Sequence, residues 1–529
     1  MQIPAWFTRT NLYYAALIVM IMALPLSKYV MSMAQFGLLT VWVLNKNILE
    51  KWKAFFRNRA AMILVSIYLL HVIGLLWTTD FDYALKDLRI KLPLLALPII
   101  ISTSPKVSRS LFHYMILIFI AANVLGTIAS MHELLTKEIV DIREISLFMS
   151  HIRFSLNICV AIFSGFYLIF ISDFFNIKIK ILLLITLLWL LVFLVILESV
   201  TGLAIIAILS IFLGILTVFR LPSPAIKISL IAVLFILPTL FFVYVKGLYD
   251  EQIPDKPFIY EGMDERTPDG NVYQHYNTAM TPENGYWLGQ YINYGELEEV
   301  WAKRSQINID SSDARGNAIR FTLLRYLTSV GLRKDGASLR SLSDEEIRHI
   351  ENGIANVRQL SESNLENRLR TIIWEIIVYK TRGDISGHSV MQRLEFWKAG
   401  RRIIANNFWI GTGTGDIKQA YQKEYIEMNT KLEHQFRWRA HNQYLSVFAT
   451  FGIFGLLWFL FALIYPAYRL KMFSDYFYLI FFVILILSML SEDTIENQAG
   501  ATFFAFFTAF FLFAREQKMT LFTKKTIDR

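Results

Sequence analysis

The longest apolar blocks of this chain limit what it can fold into more than any other feature. Residues 181–197 read ILLLITLLWLLVFLVIL, and several other blocks are nearly as apolar. Blocks of this length are typical of helices that cross a bilayer. Charged residues make up 18% of the chain, whereas a soluble domain usually has about a quarter. The sequence therefore predicts an all-α, polytopic membrane protein.

About twelve spans are predicted, with about twenty residues per span as the guide. Pro93 and Pro98 leave the ends of the fourth span uncertain, and only the short polar stretch LESVTGLA separates the seventh from the eighth. The predicted limits are 11–29, 32–46, 60–77, 92–103, 111–133, 154–172, 179–197, 201–219, 226–246, 443–464, 474–491 and 499–514.

The connections between these spans indicate their orientation. With the N-terminus in the cytoplasm, basic connections such as NKNILEKWKAFFRNR and SPKVSRS lie inside, as the positive-inside rule requires. Nine spans then precede the long polar segment, which places that segment outside the cytoplasm. The predicted organisation is an N-terminal membrane domain at 1–246, an external loop domain at 247–440, C-terminal membrane helices at 441–514 and a cytoplasmic tail at 515–529.

Several classes of function find no support in the sequence. The net charge of +9 follows the bias of the cytoplasmic loops, and no nucleic-acid-binding motif is present, so we expect no nucleic acid as a partner. The single cysteine, Cys159, excludes an intramolecular disulfide framework, and neither a metal-binding motif nor a Walker sequence occurs. We therefore expect neither a metal nor a cofactor.

The predicted loop domain changes character along its length. Residues 250–310 are rich in turn residues. A lid and an acceptor platform are the two roles considered for them, and the sequence does not distinguish the two. Farther on, Ser343 (or Ser341) precedes a Glu-rich first turn, as a helix cap would. Residues 364–380 have an amphipathic pattern that suits either the membrane surface or packing against the spans.

The most informative candidate lies in RWRAHNQYLSVFATFGIFGLL, where the tenth predicted span begins. His441 is predicted in the first helical turn, with Gly452 and Gly455 on the same face, where small residues let a neighbouring helix approach. The helix N-terminus and the cations Arg437 and Arg439 disfavour an imidazolium, so we expect a neutral His441 that serves as a general base. The alternative is a histidine that anchors the helix end at the interface.

Arg393 belongs to a second stretch, SVMQRLEFWKAGRRIIANNFWIGTGTGD, whose helix is predicted to end near Asn406. Arg393 shares a helix face with Trp397 and has the geometry to hold a phosphate through two parallel hydrogen bonds. The alternative is a solvated arginine. The glycines that follow, among them Gly413, have no strand before them and no Lys-Ser/Thr after them, so we interpret them as a tight turn rather than a phosphate loop.

Two further candidates lie at predicted outer ends of spans. Arg153, in HIRFSLN, is either a second cation for an anionic lipid substrate or an interfacial anchor. The stretch SEDTIENQAG has paired carboxylates of the kind that acid–base or metal chemistry uses, but a solvated turn is the favoured interpretation.

Together these stretches resemble the O-antigen ligase/polymerase family. HNQYLSVFATFGIFGLL resembles the His-Asn-Gln start and Gly-x-x-Gly end of one family motif, and QRLEFWKAGRRIIANNFWIGTGTGD resembles the family's Arg…Trp…Gly-x-Gly segment. The predicted layout, about twelve spans with one large loop before the last few, is similar as well. LWTTDFDYALKDLRIKLPLLALPII and SEDTIENQAGATFFAFF resemble ligase-like members of the Bacteroidetes-type group.

The resemblance implies an inverting, metal-independent glycosyltransferase of the GT-C-like class in the bacterial inner membrane, with its active site facing the periplasm. Such a ligase takes a glycan from undecaprenyl diphosphate and transfers it to a sugar hydroxyl of lipid A–core, in lipopolysaccharide biosynthesis. His441 then matches the histidine that activates the acceptor, Arg393 matches the arginine that binds the donor diphosphate, and Arg439 is a further diphosphate candidate. The supporting residues are Asn442, Trp397, Gly413, Gly452 and Gly455.

The chain departs from the family pattern at one position. Val200 stands in ESVTGLA where an arginine of a middle span is expected, and Arg153 is the predicted replacement because of its outer-face position. A polymerase or a protein O-oligosaccharyltransferase of the same family differs only in the acceptor, so both stay open. A transporter of lipid-linked glycans is the alternative outside the enzymes, but the paired broken helices typical of transporters are not evident.

Overall fold

The computed structural model describes residues 8–520, apart from 45–46, 138, 140–141, 220–222, 256, 260, 277–280, 362–363 and 384–388. Within these residues the protein is almost entirely helical, and its one sheet is an antiparallel hairpin of β1 (Pro282–Glu283) and β2 (Tyr286–Trp287). The protein is thus an all-α, multi-pass membrane protein, as the apolar blocks predict.

In the described chain, ten α-helices precede the hairpin and ten follow it. The first ten are α1 (Arg9–Leu26), α2 (Lys28–Val43), α3 (Ile48–Arg57), α4 (Arg59–Ile73), α5 (Phe81–Ser102), α6 (Arg109–Thr136), α7 (His151–Phe170), α8 (Ile177–Ile196), α9 (Val200–Val218) and α10 (Pro224–Asp250). The last ten are α11 (Tyr294–Arg304), α12 (Ile319–Ser329), α13 (Gly336–Ser341), α14 (Asp344–Glu351), α15 (Asn364–Arg382), α16 (Ser389–Asn406), α17 (Ile417–Glu427), α18 (Gln443–Arg469), α19 (Tyr476–Ser491) and α20 (Gln498–Phe513).

Eight helices of the described residues are long and apolar enough to cross a membrane, namely α1, α4, α6, α7, α8, α9, α10 and α18. The other four predicted spans fall on α2, α19 and α20, which have 16 residues each, and on α5. The total of twelve therefore stays a prediction. The brief polar break before α9 is confirmed, because α8 ends at Ile196 and Glu198 adopts a positive φ of 51°.

The helix that contains the fourth predicted span is longer than that span. Helix α5 begins at Phe81, eleven residues before the predicted limit of 92, and both of its prolines lie inside it. The helix starts there because the Asp80 carboxylate caps it, accepting a hydrogen bond from the backbone N–H of Tyr83 at 2.9 Å. It then continues through Asp87 and Lys91, which are buried and paired with each other. A hydropathy profile counts both residues as charged and polar, because it contains no information about which side chains form ion pairs.

Helix α20 lies at the centre of the membrane-spanning core. Fifteen of its 16 residues are buried, as expected for a helix that is apolar all round. It packs most extensively against α5, and its phenylalanines also contact α19 and α6, with Phe481 and Phe507 at 5.4 Å and Phe119 and Phe507 at 5.3 Å between ring centroids. The connection between α19 and α20 is consequently held in a fixed position.

The contacts divide the chain into two compact units. The first comprises described residues of Met1–Leu213, Arg393–Thr430 and His434–Arg529, and the second those of Gly214–Gln392 and Lys431–Glu433. The second unit has its own core, which includes Trp301, Leu323 and Tyr326. Its residues 250–310, opaque in the sequence, contribute the hairpin and α11.

Two local predictions for the second unit are confirmed. Ser343 caps α14 in a capping box with Glu346. The backbone N–H of Ser343 donates to the Glu346 carboxylate, and the backbone N–H of Glu346 donates to the Ser343 hydroxyl. The amphipathic segment at 364–380 lies within α15. Both depend on neighbours within four residues, which is why the sequence alone reveals them.

A buried lysine of the second unit predicts a pH-dependent stability. Burial lowers the pKa of Lys334 to about 7, although the charge of Asp335 opposes this shift. Between pH 7 and 10 the unfolded chain holds a proton at this site that the folded chain lacks, so the free energy of unfolding rises with pH. We expect the melting temperature to rise more between pH 7 and pH 9 in the wild type than in Lys334→Met. Equal pH slopes for the two proteins would contradict this reading.

Candidate active site

The backbone that leads into α18 is held by side chains of α16 and α17. Trp397 donates its indole N–H to the carbonyl of Ala440 at 3.0 Å, and Tyr425 donates its hydroxyl to the carbonyl of Trp438 at 2.6 Å. Each bond fixes a backbone group of a segment that has no regular secondary structure. The predicted supporting role of Trp397 thus has a physical basis, since it positions the residue directly before His441.

His441 lies just outside α18 rather than in its first turn. Asn442 is the N-cap, and its side-chain oxygen accepts a hydrogen bond from the N–H of Leu445 at 3.1 Å. His441 precedes this cap with a φ of +46°, which is uncommon for a residue other than glycine. The predicted first-turn position is therefore wrong, because a capping asparagine starts the helix two residues later than its apolar pattern suggests.

Asp493, in the connection between α19 and α20, holds this unusual backbone in place. Its carboxylate accepts hydrogen bonds from the N–H groups of His441 and Asn442, both at 3.1 Å, and from the Ser446 hydroxyl at 2.6 Å. Asp493 is only 9% exposed. The three hydrogen bonds to this buried carboxylate outweigh the conformational free-energy cost of the left-handed backbone at His441.

Glu492 brings three predicted site residues together. Its carboxylate accepts a hydrogen bond from Nη2 of Arg393 at 3.2 Å, and lies 3.6 Å from Nδ1 of His441 and 3.9 Å from Nη2 of Arg153. Arg153 also donates to the carbonyl of Asp493 at 3.1 Å. These four residues come from the start of α7, from α16, from the segment before α18 and from the connection after α19. We call them the Glu492 cluster.

The Glu492 cluster combines cationic and anionic groups at close range. Burial alone raises the pKa of Glu492, but His441, Arg153 and Arg393 together hold it below its usual range. Glu492 therefore faces two guanidinium groups and an imidazole, while the neighbouring Asp493 supplies a second negative charge near Arg153. Nη1 of Arg153 is a buried atom without a hydrogen-bond partner in the described chain. Such a donor fits an oxygen-rich, negatively charged ligand.

The favoured interpretation of SEDTIENQAG as a solvated turn is wrong. Glu492 and Asp493 are buried, and so is most of the connection they belong to. Asp87 and Lys91, which are also buried, were not among the predicted site residues. The signal was present in both places, since ionisable residues within or beside strongly apolar helices are rarely there without a partner or a function.

Arg439 belongs to a neighbouring ion network. Its Nη1 donates to Glu496 at 2.9 Å, and Nζ of Lys91 donates to the same carboxylate oxygen at 2.6 Å. Lys91 also donates to Asp87 at 2.5 Å, and Gln443 donates to the other oxygen of Glu496 at 2.9 Å. Burial raises the pKa of Glu496, but the two cations outweigh this and lower it strongly. Two cations and two carboxylates balance here, so this network ties α5 to the start of α18.

The environment of His441 differs from the predicted one. Besides the predicted helix terminus and arginines, the Glu492 carboxylate lies 3.6 Å from the imidazole, and Phe396 is an aromatic neighbour with 5.7 Å between ring centroids. The side chain of His441 is 36% exposed. A ligand in solvent-accessible space therefore reaches it, while the carboxylate on its Nδ1 side orients the ring.

The glycines after α16 form a tight turn, as predicted. Gly411 and Gly413 have φ values of 70° and 89°, and the turn bonds to a break in α18, where Ile453 donates to the carbonyl of Phe408 at 2.8 Å. Gly452 makes this break with a φ of 66°. Its predicted role beside a neighbouring helix is wrong, because its close neighbour is the backbone of Trp409. Gly455 does face a helix, with Leu70 of α4 nearby.

We expect Gly452→Ala to disrupt the fold around the site. A Cβ at this position would lie 2.2 Å from the backbone of Trp409, and the positive φ adds strain for any L side chain. The melting temperature of the purified variant should fall by several degrees. Gly37→Ala is the matched control, because its Cβ would meet no atom within 4 Å. A Gly452→Ala protein as stable as this control would contradict the conclusion that position 452 has no room for a side chain.

Residues 350–460 match the family model described as O-antigen ligase. No curated protein matches the chain. The matched segment runs from the end of α14 into α18 and contains Arg393, Gly413, His441 and Gly452, whereas Arg153 and the carboxylates after α19 lie outside it. Within this segment the chain is similar to a family of membrane glycosyltransferase-like ligases, and the similarity supports an enzyme that takes part in glycan assembly.

Proposed function

We propose that this protein is an O-antigen ligase that transfers a glycan from undecaprenyl diphosphate to a sugar hydroxyl of lipid A–core. The observation that carries the proposal is the Glu492 cluster, in which one buried carboxylate meets His441, Arg393 and Arg153. A histidine beside two arginines suits a reaction in which a hydroxyl loses a proton while a diphosphate departs. The proposed location is the bacterial inner membrane, with the cluster facing the periplasm.

His441 is the proposed general base. Glu492 lies on the Nδ1 side of the ring, so we assign proton acceptance to Nε2. The acceptor oxygen attacks the anomeric carbon of the donor as its proton passes to Nε2, forming the new glycosidic bond. The bond between the anomeric carbon and the diphosphate oxygen breaks with inversion, and undecaprenyl diphosphate leaves. A base held in this way typically contributes about 10²–10⁴-fold to the rate.

The two arginines of the cluster are the proposed donor-binding groups. A diphosphate is already a good leaving group, so the remaining task is to position it and to stabilise the negative charge that grows on it. Arg393 and Arg153 supply fixed positive charge, and the buried Nη1 of Arg153 supplies a donor. Arg439 stays a predicted diphosphate contact, although in the structure Glu496 engages its guanidinium.

The neighbourhood of Val200 supports Arg153 as the substitute for the expected arginine. Helix α9 begins at Val200, and a Cβ on Gly202 would lie 3.0 Å from Cβ of Ser155 in α7. The start of α9 thus packs beside the start of α7, where Arg153 lies. A guanidinium from either helix start serves the same region, which is a physical reason for one position to replace the other.

We expect Arg393→Lys to reduce glycan transfer by about tenfold or more, because lysine keeps the charge but loses the paired hydrogen-bond geometry of the guanidinium. Transfer is measured in vitro with purified full-length protein and a lipid-linked donor. Arg401→Lys, an exposed position on the same helix, is the matched control and should retain activity. Full activity of Arg393→Lys would rule out bidentate binding of the diphosphate.

The acceptor is tested with a strain that lacks the gene. For a ligase we expect lipopolysaccharide core without attached polymer, restored by the wild-type gene. Core with a single repeat unit would instead indicate a polymerase, and an unchanged ladder with unglycosylated proteins would indicate a protein O-oligosaccharyltransferase. Glycan transfer by the purified protein would exclude a transporter.

A further inference from the structure

A polar recess lies at the end of α5 that is far from the Glu492 cluster. The recess is open to solvent on one side, and its polar lining consists of Arg9, Thr10, Tyr13, Lys51 and Ser104. Ser104 lies two residues after the last residue of α5, whereas Tyr83, near the first residue of that helix, accepts a hydrogen bond from Arg439. At 1.5 Å per residue the intervening helix separates the two places by about 30 Å. The recess therefore belongs to the opposite side of the first unit.

The charge in this recess is one-sided. Lys51 is 8% exposed, donates to the carbonyl of Trp42 at 2.8 Å and lies over the Trp42 ring. In the described chain no carboxylate forms an ion pair with Lys51, and none is among the lining residues. Arg9 adds a second cation. A buried ammonium without a counter-charge is costly, so an anion in the recess is favoured.

A buried hydroxyl in the recess also lacks a partner. Tyr13 is 2% exposed, and its hydroxyl makes no hydrogen bond in the described part of the chain, although it borders Ser104. Buried polar groups in native proteins nearly always have a partner, which is often an ordered molecule that is not part of the chain. An anion with several oxygens would accept the Tyr13 proton and neutralise the cations at once.

Helix α3 relates the recess to the bilayer. Lys51 and Phe55 lie on its buried face, whereas Leu49, Trp52 and Phe56 lie on an adjacent face and are 73%, 38% and 62% exposed. A short helix with an exposed apolar face and basic residues is typical of the membrane interface, where phospholipid head groups lie. The recess beside Lys51 is therefore within reach of a lipid phosphate.

We propose that this recess binds the phosphate of an anionic phospholipid, whose acyl chains run along the apolar face of α3. Arg9 and Lys51 neutralise the phosphate, and Tyr13 donates a hydrogen bond to it. The exposed apolar face favours a lipid over a soluble phosphate ester. This site is independent of the glycan-transfer reaction, because it shares no residue with the Glu492 cluster or with the network of Arg439.

The test uses full-length protein purified in detergent and native mass spectrometry with phosphatidylglycerol, phosphatidylcholine or inorganic phosphate. We expect a retained phosphatidylglycerol adduct on the wild type, and a loss of affinity of about tenfold or more in Arg9→Gln combined with Tyr13→Phe. Tyr13→Phe preserves the packing and Arg9 is exposed, so the variant should fold. Lys53→Gln removes one charge from an exposed position of α3 and should bind like the wild type.

Three results would overturn the proposal. The first is equal phosphatidylglycerol binding by the double variant and the wild type. The second is equal retention of phosphatidylcholine, which would show that the negative charge of the lipid is irrelevant. The third is displacement of the lipid by millimolar inorganic phosphate, which would assign the recess to a soluble anion.

Discussion

His441→Ala should abolish glycan transfer while leaving the protein folded. If His441 accepts the acceptor's proton, its removal costs about 10²–10⁴-fold in rate, which is enough to remove the polymer ladder from a lipopolysaccharide gel. The side chain is partly exposed and is not part of the apolar core, so expression and melting temperature should stay near those of the wild type.

The left-handed backbone at His441 calls for a second variant. Asparagine tolerates a positive φ better than alanine does, so His441→Asn separates the loss of a base from backbone strain. We expect both variants to be inactive. His132→Ala, at an exposed position of α6, is the matched control and should be active. A wild-type ladder from either His441 variant, at normal expression, would exclude the general-base role.

Asp475→Asn should cause the largest loss of stability among the substitutions considered. Asp475 and Arg515 are 0% and 3% exposed at their side chains and form two bonds, at 2.6 and 2.9 Å. Asp475 also accepts from the N–H groups of Tyr478 and Met519, which joins the start of α19 to the end of α20. Loss of one partner from a buried pair typically costs about 3–5 kcal/mol, because the remaining charge stays buried.

The measurement for Asp475→Asn is the thermal unfolding of full-length protein in detergent, where we expect a fall of several degrees in the melting temperature. Lys137→Gln is the control, since this lysine is 63% exposed and its pair with Glu133 is of the surface type that contributes little. A similar melting temperature for both variants would show that the Asp475–Arg515 pair does not hold these helices together.

Several predictions that depended on residues close in sequence were confirmed. The Ser343 cap, the end of α16 near Asn406 and the turn at Gly411 and Gly413 all follow from neighbours within a few positions. Predictions that depended on distant partners failed more often. Helix α5 extends beyond the predicted fourth span through Asp87 and Lys91, whose charges are neutralised by partners inside the protein.

The acidic connection after α19 shows the same limit most clearly. Its carboxylates meet partners from elsewhere in the chain, including Lys91, Arg153, Arg393 and Arg439. A run of acids reads as a solvated turn when it is taken alone, because isolated charges do not enter apolar surroundings. Only the arrangement of the helices decides whether cations meet them there.

The sequence by itself determined the class of the protein, the apolar spans and His441, Arg393 and Arg153 as candidates, since hydropathy and residue chemistry are local properties. The tertiary structure decided how those candidates relate to one another. It placed Glu492 among all three, put His441 before the helix with its backbone bonded to Asp493, and directed Arg439 toward Glu496. Electrostatic partners are set by distance in space, and that distance exists only once the helices have packed.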